Sequence, residues 1–120
     1  MSTSLLIVDD NSQFLEAAKD LLERQGLRVV GVASTTAAAI RLAHELSPDC
    51  VLVDVDLGAE SGFDLAAQLE ADGYRPVLIS AYSETEFVDL IAGCPAVGFI
   101  SKADLSARKI ADVLGRRPPL

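Results

Sequence analysis

Short unbroken apolar runs alternate along this chain with longer stretches in which apolar residues return every three or four positions. Leu5-Leu6-Ile7-Val8 is too brief for a helix and is closed by Asp9 and Asp10, so it reads as a buried strand. Asn11 or Ser12 can cap the next segment, where Phe14, Leu15, Ala18, Leu21 and Leu22 repeat at helical spacing up to Gly26, a residue suited to a left-handed helix end. Leu27 to Ala33 is a second strand. Ser34 or Thr35 then caps an alanine-rich helix that turns Ile40, Ala43 and Leu46 inward before Pro48 stops it. Cys50 to Asp54 is a third strand, followed by a loop bracketed by Gly58 and Gly62. A helix from Phe63 to Ala71 offers Leu65, Ala66 and Leu69 to a core and ends at Gly73, after which Arg75-Pro76 leads into a fourth strand with the run Val77-Leu78-Ile79, followed by Ser80. Ser83 and Glu86 have the spacing of a capping box for a helix carrying Phe87, Leu90 and Ile91, which Gly93-Cys94-Pro95 terminates. Val97 to Ser101 is a fifth strand, and Ser106 caps a last helix with Ile110, Val113 and Leu114 on one face.

Five strands alternating with five helices predict an α/β fold: a doubly wound parallel sheet with helices on both faces. Parallel connections are right-handed, which favours the flavodoxin-like strand order 2-1-3-4-5 and puts the switch point between strands one and three. All carboxyl ends then open onto one edge of the sheet. Asp9-Asp10, Asp54, Ser80 and Lys102 each stand at such an end, so residues spread over much of the sequence converge there.

Composition narrows the picture. At 120 residues the chain fits one domain, and 50% apolar against 5% aromatic residues suits a core of Ala, Val, Leu and Ile. A net charge of -8 argues against a general nucleic-acid binder, because phosphate backbones attract cationic surfaces. Arg108, Lys109, Arg116 and Arg117 form only a basic helix end that complements the macrodipole. Cys50 and Cys94 are too few for a disulfide framework and lack metal-ligand spacing, so two free thiols are expected. Neither a signal peptide nor a membrane span is visible in the pattern, and a reducing cytoplasm fits both observations. His44, the only histidine, falls on the second helix, away from the edge pocket.

Three carboxylates at one edge repel each other unless their pKa values rise or a cation lies between them. Oxygen donors select a hard cation such as Mg²⁺, which takes one or two direct carboxylates and keeps several waters. Asp10 and Asp54 are candidate direct ligands, Asp9 acts through a water, and the Asp56 backbone carbonyl adds another oxygen. An accessible metal-bound carboxylate can also attack phosphorus and form an acyl phosphate. Lys102 could then pair with one phosphoryl oxygen and the Ser80 hydroxyl bond another.

In this order and at these strand ends, Asp9-Asp10, Asp54, Ser80 and Lys102 resemble the acidic pair, phosphoacceptor, hydroxyl residue and lysine of bacterial response regulator receiver domains. The resemblance covers essentially residues 4–114, leaving 115–120 as a tail or the start of a linker. It implies a two-component signalling switch rather than an enzyme: a phosphoprotein that takes a phosphoryl group from a sensor histidine kinase or phosphotransfer protein with Mg²⁺, and catalyses its own phosphorylation and dephosphorylation. It further implies Phe99 as the aromatic switch residue acting with Ser80, a downstream effector, and a phosphorylation-linked homodimer, without direct nucleic-acid or membrane contact from this segment. Nothing after Leu114 resembles an effector, so a stand-alone receiver and a piece of a longer regulator both fit.

Two departures from the family pattern stand out. Ala103 replaces a proline that commonly follows the lysine, so a trans peptide is expected, a cis bond at a non-proline residue costing about 3 kcal/mol. Gly58 replaces a proline four positions after the phosphoacceptor, giving that loop more freedom. Asp56 and Tyr82, each two residues past a site residue, take positions that tune the lifetime of the phosphorylated state in the family. Two other readings stay open here. Asp54-Val55-Asp56 resembles the opening motif of haloacid-dehalogenase-type phosphatases, and a receiver-like scaffold could bind partners without phosphate.

Overall fold

Strands form where the apolar runs are continuous, and the computed structural model shows why those runs do not alternate with polar residues. β1 (Ser4–Val8), β3 (Cys50–Asp54) and β6 (Pro76–Ser80) are buried at every position, as strands covered on both faces must be. They join β2 (Arg28–Ala33) and β7 (Gly98–Ser101) in a five-stranded, all-parallel sheet of order β2-β1-β3-β6-β7. A two-stranded antiparallel hairpin, β4 (Asp56–Leu57) with β5 (Glu60–Ser61), stands apart from that sheet. With the hairpin set aside, the order is the expected 2-1-3-4-5.

The structure describes residues 3–82, 93 and 96–115. Among the described residues there are four α-helices: α1 (Ser12–Arg24), α2 (Thr36–Leu46), α3 (Gly62–Ala71) and α4 (Ala107–Leu114). The expected helix with Phe87, Leu90 and Ile91, its Ser83–Glu86 cap, and Cys94 lie outside the described residues. Each helix starts on a side-chain cap: Asn11 accepts from the Gln13 and Phe14 amides, Thr35 from Ala38, Ser61 from Asp64 and Ser106 from Lys109. α2 closes on Ser47 at φ 45°, a left-handed residue directly before Pro48.

Alternate residues of each strand face opposite layers. Leu5, Ile7, Leu52 and Ile79 pack with Leu15 and Leu22 of α1 and Ile110 and Val113 of α4. Leu6, Val8, Val53 and Leu78 pack with Ala39 and Ala43 of α2 and Leu65 and Leu69 of α3. Cys50 is a free, buried thiol whose pKa burial pushes up to about 12. Among the described residues no helix is long and apolar enough to cross a membrane.

Two apolar positions depart from the periodic reading. Leu21 is 39% exposed because the buried stripe of α1 runs through Leu15, Ala18 and Leu22, leaving its neighbour on the flank. Leu46, expected to point inward, is also 39% exposed. The buried stripe of α2 is Ala39 and Ala43, so Leu46 overhangs edge strand β2 and covers Gly31, where an added Cβ would lie 3.1 Å from a Leu46 methyl.

Candidate functional site

The carboxyl edge of the sheet carries the polar residues because the ladder continues one residue past two of its strands. The Asp9 amide donates to the Ala33 carbonyl at 3.0 Å and the Val55 amide to Ile79 at 3.0 Å, which fixes the backbone at both acids. An open cleft of about 570 Å³ results, lined by Asp9, Asp10, Asp54, Asp56, Ser80 and Lys102 among others. Every polar strand-end residue singled out from the sequence meets there.

Asp9 and Asp54 are buried while Asp10 is exposed. Lys102 Nζ reaches between the two buried acids, 2.6 Å from Asp9 Oδ2 and 2.8 Å from Asp54 Oδ2. The remaining oxygens accept from backbone: Asp9 Oδ1 from the Asn11 amide at 2.9 Å, Asp54 Oδ1 from the Asp56 amide at 3.0 Å. Ser80 Oγ accepts from the Tyr82 amide at 3.0 Å, which ties the hydroxyl into its own turn. Burial pushes the Asp54 carboxyl up to about 6; Lys102 and the Asp56 amide oppose the rise, and neighbouring Asp9 adds to it. Burial alone would lower the Lys102 ammonium, but its hydrogen bond to Asp54 and the negative charge of Asp9 beside it outweigh this and its pKa goes up.

One ammonium thus serves two buried carboxylates, with a third at the rim. Carboxylate oxygens of Asp9, Asp10 and Asp54 lie within 4.8 Å of one another. Asp9 Oδ2 is fully buried and meets Lys102 as a charge contact without a well-directed hydrogen bond, so it has acceptor capacity to spare. A hard divalent cation fits this donor set: all-oxygen, under-neutralised and open to solvent on one side.

The segment after Asp54 is more ordered than a glycine-bracketed loop. Asp56 pairs with Ser61 and Leu57 with Glu60, leaving Gly58-Ala59 as a two-residue turn. Gly58 sits at φ 72° with its amide bonded to Asp56 Oδ1 at 3.1 Å, as a tight hairpin with glycine first in the turn requires. Proline, locked near φ -65°, could not take this place. Gly62 has a different reason. A Cβ there would overlap the Asp54 carbonyl oxygen, so only glycine lets α3 begin against the backbone that carries the acid. Beyond β7, Lys102–Asp104 form a 3₁₀ turn before α4, and no cis peptide occurs among the described residues, as expected for Ala103.

Asp56 and Tyr82 both line the cleft and are exposed. Phe99 is 8% exposed and packs into the core layer shared with α2 and α3. His44 lies away from the cleft, 3.2 Å from Asp72 Oδ2 and edge-on to Tyr74. Two residues escaped the sequence reading. Phe14 lies with its ring centroid 4.2 Å from Lys102 Nζ, although its helical spacing marks it only as core. Glu60 lines the cleft and accepts from the Thr36 amide at 2.9 Å, holding the hairpin to the start of α2. Phe14 had one usable signal, its place in the first turn after the acidic pair; Glu60 had none.

A doubly wound parallel sheet with an acid–lysine cluster at its switch point has the architecture of a receiver domain. The chain belongs to that family: the model of the response regulator receiver domain matches residues 5–113. Among curated proteins it is 30% identical over 87 residues to a protein-glutamate methylesterase/protein-glutamine glutaminase of Halobacterium salinarum, covering 72% of this chain and 25% of that one. It is 25% identical over 99 residues to the transcriptional regulatory protein PdtaR of Mycobacterium tuberculosis, covering 82% and 48%. The chain therefore spans half or less of the length of these relatives. The signal receiver domain of the response regulator NarL from Mycobacterium tuberculosis superposes with a TM-score of 0.82 at 28% identity, covering 96% of this chain and 98% of that one. A response regulator of Burkholderia pseudomallei, solved with a phosphorylated aspartic acid, a calcium ion and citrate, superposes with a TM-score of 0.78 at 25% identity, covering 94% and 66%.

Proposed function

We propose that this receiver domain is a phosphorylation-operated switch in which Asp54 accepts a phosphoryl group from a sensor histidine kinase or phosphotransfer protein. The observation that carries this reading is the Lys102 ammonium at 2.8 Å from Asp54 Oδ2, in a cleft open to a donor. The phosphorylated aspartic acid and calcium ion of the Burkholderia regulator support it by likeness.

Asp9, Asp10 and Asp54, with the Asp56 carbonyl, would hold Mg²⁺, which when bound supplies positive charge for the equatorial oxygens of the transferring group. The protein's own residues do the rest. An Asp54 oxygen forms the new bond to phosphorus as the phosphorus–nitrogen bond of a phosphohistidine breaks, and the histidine nitrogen keeps the electron pair. The Asp56 amide on Oδ1 holds the carboxylate plane fixed, which leaves Oδ2, the oxygen bound to Lys102, as the attacking atom. Lys102 stays beside that oxygen and pairs with a phosphoryl oxygen after transfer.

Ser80 then leaves the Tyr82 amide and turns its hydroxyl toward the phosphoryl group. Phe99, already largely buried, secures the rearranged end of β7 by packing alone, because it has no hydroxyl to bond. Asp56 adds negative charge beside the group, and Tyr82 can screen it from water; together they set how long the phosphoryl group survives. The altered surface addresses an effector protein or domain, or a second copy of the chain.

Mass spectrometry after incubation with acetyl phosphate and Mg²⁺ tests the reading. One added phosphoryl group, absent in Asp54→Asn, is expected. No adduct, or one indifferent to that substitution, overturns it, and rapid hydrolysis of many small phosphate esters would favour the phosphatase alternative instead.

A further inference from the structure

Among the described residues Lys102 is the one cation in the cleft lining, and its surroundings include one group that the phosphoacceptor reading does not use. The Phe14 ring lies with its centroid 4.2 Å from Nζ, inside the range at which an ammonium is drawn to an aromatic face. Phe14 belongs to the first turn of α1 and Lys102 follows β7, so the contact joins elements far apart in sequence. The lysine side chain is only 19% exposed, and an ammonium that has shed most of its water depends on its remaining partners. Two of these are carboxylates that the cation site also needs. The ring is the third and is not a metal donor.

We propose that Phe14 is a positioning residue for phosphoryl transfer: its ring holds the Lys102 ammonium beside the Asp54 oxygen that receives the phosphoryl group. This rests on Asp54 being the phosphoacceptor. Without the ring, the ammonium has one fewer neighbour to keep it at the attacking oxygen. The side chain then samples other rotamers, and the transferring oxygens meet it less often. Leucine at position 14 would fill similar space and keep the packing against Leu15 and its neighbours, but it offers no π face.

The experiment measures the initial rate of Asp54 phosphorylation by acetyl phosphate with Mg²⁺, a transfer that releases acetate, in wild type, Phe14→Leu and Phe14→Tyr. The same Phe14→Leu change is also made in a Lys102→Met background, with melting temperatures recorded for all variants. Phe14→Leu is expected to slow the reaction about threefold to tenfold, the range a partly desolvated cation–π contact supports. Phe14→Tyr should retain most of the rate, and Phe14→Leu should change nothing further in Lys102→Met. Equal slowing in both backgrounds, which packing loss alone would give, overturns the proposal, as does an unaltered rate in Phe14→Leu. A wild-type protein that takes up no phosphoryl group removes the phosphoacceptor reading and this proposal together; a wild type that reacts while Phe14→Leu matches it removes this proposal alone.

Discussion

Asp54 is held in conflict by its surroundings: it is buried, has another buried acid beside it, and shares one ammonium with that acid. Its folded pKa of about 6 lies above the ordinary 3.8, so its contribution to stability is fully present below about pH 4 and is lost as pH rises toward 6. Replacing the acid with an amide removes this loss. In chelator, Asp54→Asn should match or fall below wild type at pH 4 and exceed it at pH 7 by about 1 to 2 kcal/mol, allowing for solvent screening. Urea denaturation at the two pH values checks this, and a variant less stable than wild type at pH 7 would show that the Lys102 pair outweighs desolvation. At the opposite edge of the sheet the sign is reversed. Asp49 accepts from both the amide and the hydroxyl of Ser4, and these bonds lower its pKa. Ser4 Oγ also accepts from the Asp49 amide, so Ser4→Ala should cost about 1 kcal/mol in the same assay, most of it at pH above 4. The polar strand ends were legible because an acid after an apolar run is a visible break. Which acid is buried was not, since Asp9 and Asp10 are adjacent and identical, and only the side of the strand each faces makes one fully buried and the other exposed.

At the scale of elements, the sheet could be read from continuous apolar runs, because strands covered on both faces tolerate nothing else. The hairpin at Asp56–Ser61 could not. Its strands are two residues each, too short for any period, and its glycine looks the same as one in an open loop. Gly58 in its turn and Gly62 directly after it should respond differently to substitution. Gly62→Ala drives a Cβ into the Asp54 carbonyl, backbone that cannot step aside without moving the acid, so a loss of about 2 to 3 kcal/mol and weaker phosphoacceptance are expected together. Gly58→Ala meets only Asp10 Oδ2 at 3.2 Å, and its main cost is the left-handed conformation, about 1 to 2 kcal/mol. Gly58→Pro should cost more than Gly58→Ala, since proline cannot reach φ 72° at all. Denaturation midpoints order the three variants. A proline variant as stable as wild type would mean that the turn adopts a second conformation at little cost.

For the molecule as a whole, a charge of -8 on a body at most 33 Å across raises the question of whether general repulsion or the local cluster governs its response to cations. The Debye length in 0.1 M salt is about 10 Å, so most pairs of surface charges are already screened. The cleft is different, because its acids lie within 4.8 Å of one another and two of them are buried from the screening ions. Mg²⁺ should therefore stabilise the protein far more than NaCl of equal ionic strength. At one hundred times its dissociation constant a ligand confined to the folded state adds about 2.7 kcal/mol. For a domain of this size that is a rise of about 10 °C in melting temperature. Asp9→Asn and Asp10→Asn should each remove most of the difference between the two salts while leaving the NaCl response intact. Equal melting curves in MgCl₂ and NaCl would assign the effect of cations to surface charge and leave the acid cluster without a bound metal.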